Sequence, residues 1–141
     1  MGSISLNFGD DYSNILITEN TISESASPWA GIEIRGTVSD LTITYNNLTD
    51  NPGGGIEIGD SDGICTWGTG NVINYNNIVD NAAFGIDVDG SSVITGDLTV
   101  DAENNWWGDA SGPLNADTNA DGLGDSVTNK VDFDPFSTVE N

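Results

Sequence analysis

The chain has no histidine, one cysteine, one methionine, and only Arg35 and Lys130 as basic residues against 23 acids. Each scarcity excludes something. Nucleic acids and anionic membranes are recognised through clustered Lys and Arg, so a formal charge of −21 removes both as partners. A lone Cys65 forms no intrachain disulfide. Soft-metal sites lack their ligands, and a Gly-Lys-Ser/Thr phosphate loop is absent. Apolar runs reach only three or four residues, where a membrane-spanning helix needs about 20, so no membrane insertion is expected.

What the chain does have is a repeat. Asn-Ile-Leu-Ile-Thr-Glu-Asn-Thr-Ile at 14–22, Asp-Leu-Thr-Ile-Thr-Tyr-Asn-Asn-Leu at 40–48 and Asn-Val-Ile-Asn-Tyr-Asn-Asn-Ile at 71–78 are near copies, and a weaker fourth runs through 97–106. A second phrase follows the first three: Gly-Ile-Glu-Ile at 31–34 and 55–58, Gly-Ile-Asp-Val at 85–88. The marker asparagines Asn20, Asn46, Asn76 and Asn104 lie 26, 30 and 28 residues apart, the period of one solenoid turn. Apolar residues alternate within each phrase, the period of a strand with one buried face. Stacking therefore predicts one interior column through Ile17, Ile43, Ile73 and Val100 and another through Ile32, Ile56 and Ile86, with the marker asparagines either turned inward as a hydrogen-bonded ladder, the favoured reading, or set out as a row of polar ligand contacts on an exposed face.

Residues 102–113 (Ala-Glu-Asn-Asn-Trp-Trp-Gly-Asp-Ala-Ser-Gly-Pro), then Gly-Leu-Gly-Asp-Ser-Val at 122–127 and Val-Asp-Phe-Asp-Pro-Phe at 131–136, form a distinctive ending. With it and the repeats, the chain resembles the right-handed parallel β-helix superfamily, which contains pectate-lyase-like solenoids and many bacterial and archaeal cell-surface proteins. The resemblance implies an all-β, right-handed parallel β-helix of three to four coils with a C-terminal cap. The expected division is an irregular lead-in at 1–12, coils at 13–108 and a capping segment at 109–141. A solenoid end needs a cover with an apolar inner side, and Trp106 is expected to point in while Trp107 points out. No comparable cover is evident before residue 14, so the expectation is either the carboxy-terminal part of a longer solenoid or a unit whose first coil docks end-on on another copy.

The enzymes of that superfamily set chemical tests. Its lyases need a base and cations around a uronate, whereas only Arg35 lies on a repeat strand. Its galacturonan hydrolases carry a His and an Arg-x-Lys element, and its alginate epimerases an Asp-Pro-His-Glu signature; all are missing here. Glu33 and Glu57 occupy equivalent places in successive coils, with Asp87 extending the row, and such a row is either a glycosidase-like pair or a solvated, cation-bridged face. Trp29 and Trp67 fall between strands, as sugar platforms or as lids over their coils.

One segment has calcium-loop spacing: Asp117, Asn119, Asp121, the Leu123 carbonyl and Asp125 at positions 1, 3, 5, 7 and 9, with Gly122 at position 6. Thr128 stands at position 12 where an EF-hand has a bidentate Glu, and the alternative is a solvated turn. Asp60 and Asp62 with Asp87 and Asp89 form a second, weaker acidic cluster. The acid excess suits either Ca²⁺ or a high-salt habitat. The expectation is a non-catalytic structural or adhesive module of an extracellular or cell-surface protein, bacterial or archaeal, stabilised by Ca²⁺. The alternative is a polysaccharide-binding or polysaccharide-degrading domain using Trp29, Trp67, Glu33, Glu57 and Asp87.

Overall fold

The computed structural model describes residues 2–7, 9–26, 28–59, 65–89 and 99–141, together with the backbone of 93–94. Asp60, Asp62, and Asp97 and Leu98 of the fourth repeat lie outside the described residues. The first coil holds β1 (Ile4–Leu6), β2 (Asp11–Thr18) and β3 (Thr21–Ser23); the second holds β4 (Ile32–Ile34), β5 (Thr37–Thr44) and β6 (Asn47–Thr49). In the third, the long strand is divided, giving β7 (Ile56–Ile58), β8 (Thr66–Trp67), β9 (Val72–Asn74) and β10 (Asn77–Val79). The fourth holds β11 (Ile86–Val88), β12 (Val93–Ile94) and β13 (Val100–Asp101), and β14 (Val131–Asp132) follows from the closing segment.

Like strands pair in parallel from coil to coil, forming three walls: β1-β4-β7-β11, a long wall around β2, β5 and β9, and β3-β6-β10. The pairing puts Ile32 beside Ile56 and Ile56 beside Ile86, and Ile17 beside Ile43 and Ile43 beside Ile73, so the expected columns exist. Each such isoleucine, once buried, contributes about 1.5–3 kcal/mol. The spacing between coils is tight enough that a Cβ on Gly55 would lie 2.5 Å from the Gly85 carbonyl oxygen.

Three details depart from the sequence expectation. Ile4–Leu6, inside the stretch read as an irregular lead-in, is a strand paired with β4, and Leu6 belongs to the core. Asp101 stands opposite Val72, which sets Ala102 rather than Val100 beneath Ile73. Finally, Trp107 is fully buried and Trp106 only half-buried, the reverse of what was expected.

The last departure has a local cause. Glu19, Tyr45, Tyr75 and Asn104 all adopt left-handed backbone, with φ of 57°, 55°, 60° and 58°. Such a residue turns the chain and resets the alternation of inward and outward side chains. The residue after it points in, the next out and the third in: Asn46, Asn47 and Leu48 in the second coil, Asn105, Trp106 and Trp107 in the fourth. Trp107 therefore takes the place held by Ile22, Leu48 and Ile78 above it, and Asn105, not Asn104, is the fourth inward asparagine. The bridge between Asn77 and Trp106 keeps the same register.

Below the fourth coil, Val127, Val131 and Phe133 join Trp107 in the core. Val127 bridges to Ile86, and β14 pairs with β13, so the closing segment continues the walls it covers.

Candidate functional site

The corners hold the polar interior. Asn20 donates its backbone N–H and its Nδ2 to Asn46 Oδ1, both at 3.0 Å; Asn46 does the same to Asn76 Oδ1, and Asn76 to Asn105 Oδ1. Nδ2 of the lower three asparagines also donates to a carbonyl in the coil above: Ile17, Ile43 and Ile73 in turn. A buried amide with every polar atom engaged in this way escapes the penalty for unpaired groups.

A second inward ladder, missed in the sequence, occupies the next corner. Ser25 N–H donates to Asn51 Oδ1, Asn51 to Asn81 Oδ1 through both its nitrogens, and Asn81 to Asp125 Oδ2 at 3.0 and 2.8 Å. Left-handed Glu24, Asp50 and Asp80 precede its first three members. The signal was present as Thr-Asp-Asn at 49–51 and Val-Asp-Asn at 79–81, 30 residues apart. Burial pushes the Asp125 carboxyl above its ordinary pKa; the Asn81 hydrogen bonds oppose that rise and the Asp80 charge adds to it.

This placement bears on the calcium reading. Asp125 faces Asn81, Asp117 Oδ2 accepts from Asn129 Nδ2, and Asn119 aims its Nδ2 at the Ser111 and Pro113 carbonyls. Asn115 Oδ1 caps the turn by accepting from Asp117 N, Thr118 N and Thr118 Oγ1. Leu123 donates its N–H to Ser111 Oγ and Asp121 is exposed. Among the described residues, no group of three or more His, Cys, Asp or Glu side chains is placed to hold a metal ion. In this arrangement Asp117, Asn119 and Asp125 each commit side-chain atoms to protein partners.

The acidic row does form. Ser5, Glu33, Glu57 and Asp87 stand side by side on the outer face of the first wall. Arg35 Nη2 lies 2.9 Å from Glu33 Oε1 and 3.7 Å from Glu57 Oε2, and its guanidinium sits 4.8 Å over the Trp29 ring. Glu33 is only 5% exposed. The single guanidinium thus bridges the Glu33 and Glu57 carboxylates from successive coils. Asp87, two coils below Glu33, is pushed above its ordinary pKa by burial; a hydrogen bond with Thr128 opposes the rise and the Asp89 charge adds to it.

The tryptophans separate. Trp29 is 45% exposed beside Arg35, while Trp67 lies not between strands but in β8, paired with Val38 and buried in the core, so it is neither a sugar platform nor a lid over its coil. Cys65 is buried as well, and desolvation pushes its thiol up to about 11, which leaves it protonated and inert. Exposed aromatics appear elsewhere: the Tyr45 and Tyr75 rings stack at a corner with centroids 5.7 Å apart and planes at 17°.

The family model described as "Right handed beta helix region" matches residues 2–114, most of the chain. The chain belongs to the right-handed β-helix family. That assignment supplies the handedness which repeat length alone leaves open, and it agrees with parallel walls stacked through four turns. No curated protein and no solved structure matches the chain. The β-helix fold serves both enzymes and non-enzymes, so function has to be argued from the side chains.

Proposed function

We propose that this β-helix is a non-catalytic structural or display module of an extracellular or cell-surface protein, from a bacterial or archaeal source. The observation that carries the reading is the engagement of its polar groups by the fold itself. Inward amides hold the coils together, and the one coil-borne cation joins two carboxylates that would otherwise be candidates for chemistry. A surface charge of −21 supports a role in solution or at a cell exterior rather than on polyanions. The closing segment fits a terminal cap of the surface-protein type.

The strand edges of the first coil are the place where another β-coil, or a second copy, would add. The rival reading is a polysaccharide-degrading domain centred on Glu33, Glu57 and Trp29. Incubation with a panel of neutral and uronate polysaccharides separates the two. Unchanged polymer length is expected, and new reducing ends that vanish in Glu57→Gln would overturn the proposal. Surface labelling of intact source cells tests the location, with label confined to broken cells as the contrary result.

A further inference from the structure

Two of the three tyrosines of this chain stand where the backbone disfavours them. Tyr45 and Tyr75 occupy the same corner of the second and third coils with φ of 55° and 60°. That left-handed backbone suits Asn or Asp, whose short side chains bond locally, and penalises a bulky ring. Asn104 holds the corner in the fourth coil. The two rings gain little burial in return, being 59% and 43% exposed, and they stack with centroids 5.7 Å apart and planes at 17°. Carbon atoms in contact lie about 3.5–4.0 Å apart, so the near-parallel rings are slid sideways, edge over edge. The Tyr45 N–H donates to the Tyr75 carbonyl at 3.1 Å, which fixes one backbone against the other. Among the described residues neither phenol hydroxyl has a hydrogen-bond partner, whereas Tyr12 packs against the core with its hydroxyl held between Asn7 N–H and Asp10 Oδ2. An outlying backbone conformation kept at an exposed, aligned pair points to a use beyond packing.

We propose that Tyr45 and Tyr75 are an oxidative coupling site, whose product is a covalent dityrosine staple between the second and third coils. The oxidant is hydrogen peroxide acting through a haem peroxidase. Each phenol gives up one electron and one proton, and the two phenoxyl radicals join through ring carbons ortho to their hydroxyls. The hydrogens on those two carbons then move to the oxygens, restoring both phenols. In the net, one C–C bond replaces two C–H bonds, and the peroxide takes up two electrons and two protons to leave as two waters. Alignment by the fold makes the radical encounter intramolecular, and a charge of −21 opposes coupling between copies. The staple closes a loop of 30 residues in a chain whose lone Cys65 is buried and forms no intrachain disulfide. The proposal is independent of the display role, which stands if the pair is never coupled.

Treating the dilute protein with a haem peroxidase and hydrogen peroxide tests it, read by dityrosine fluorescence, intact mass and peptide mapping. Tyr45→Phe and Tyr75→Phe keep a ring at each corner, and unchanged circular dichroism melts verify that both variants are folded. The expected product is a monomer lighter by two hydrogens, in which the linked peptides join Tyr45 to Tyr75. Its yield should exceed by roughly tenfold or more that from a mixture of the two single variants at the same tyrosine concentration, where only encounters between molecules can couple the corners. The coupled monomer should melt roughly 5–10 °C higher than the untreated protein. An unchanged mass overturns the proposal, as does a yield no greater than that of the mixture. Linked dimers as the main product, or a linkage through Tyr12, would overturn it too. A coupled monomer that melts no higher than the untreated protein would overturn the stapling role.

Discussion

The two inward ladders run through the same coils and end differently. The first is asparagine throughout, from Asn20 to Asn105, and its last member still donates Nδ2 to the Ile73 carbonyl at 2.6 Å. The second begins at Ser25 and ends at Asp125, which arrives 44 residues after Asn81 from within the closing segment. An asparagine both accepts from the coil above and donates to it, whereas an ionised aspartate only accepts. The first ladder therefore propagates from coil to coil, and the second terminates, fastening the closing segment to the third coil. Repetition and closure use the same geometry with one atom changed.

The comparison breaks most severely at a central member of the first ladder. Asn76→Ala takes the acceptor from both N–H groups of Asn46 and the donor from the Ile43 and Asn74 carbonyls, in the second and third coils, and is expected to cost about 3–5 kcal/mol in urea unfolding. Asn20→Ala, at the exposed end, is expected to cost under about 1 kcal/mol. The closing segment offers a parallel contrast. Trp107→Ala should cost about 3–5 kcal/mol, and half-buried Trp106→Ala clearly less, a difference readable in the same denaturation curves.

Asp125→Asn sharpens the comparison by making the second ladder end as the first does. The Asp125 pKa is raised in the fold, so protonation favours the folded state. The stability it contributes is fully present below the ordinary carboxylate pKa of about 3.9 and is lost as pH rises through the higher folded value. Above that value the ionised, half-buried carboxylate is a liability. Asp125→Asn should thus leave stability nearly unchanged at low pH and raise it by about 1 kcal/mol at pH 7, as measured by paired unfolding curves. The difference between the two proteins removes the relief of overall charge repulsion that acid brings to both.

The smallest expected effect concerns calcium. With Asp125 turned to Asn81 and Asn119 donating rather than accepting, thermal melts in millimolar Ca²⁺ and in chelator at matched ionic strength should coincide. Saturation at about 100 times a dissociation constant would add about 2.7 kcal/mol, so a calcium-specific rise abolished by Asp121→Ala would show that the loop rearranges to bind.

Much of this was legible in the residues. Alternating Ile, Val and Thr fix strands, the repeat aligns them, and the acidic row of Glu33, Glu57 and Asp87 follows from equivalent places in successive phrases. What misled was parity. Counting by twos across Asn104 turns Asn105, Trp106 and Trp107 the wrong way, because a left-handed residue restarts the count and its φ is not written in composition. The Asp125 contact was hidden for another reason: its spacing suits a metal loop, and only the return of the closing segment brings it to Asn81. β1 escaped notice because three residues with one buried side chain leave almost no periodic signal.

Hydrogen exchange by NMR at the asparagine side chains tests the central claim most directly, since slow exchange of a primary amide requires both burial and bonding. The ladders predict that Nδ2 protons of Asn46, Asn51, Asn76, Asn81 and Asn105 exchange orders of magnitude more slowly than those of exposed Asn14. Equally fast exchange at all six would contradict the ladders as the element that holds the coils together.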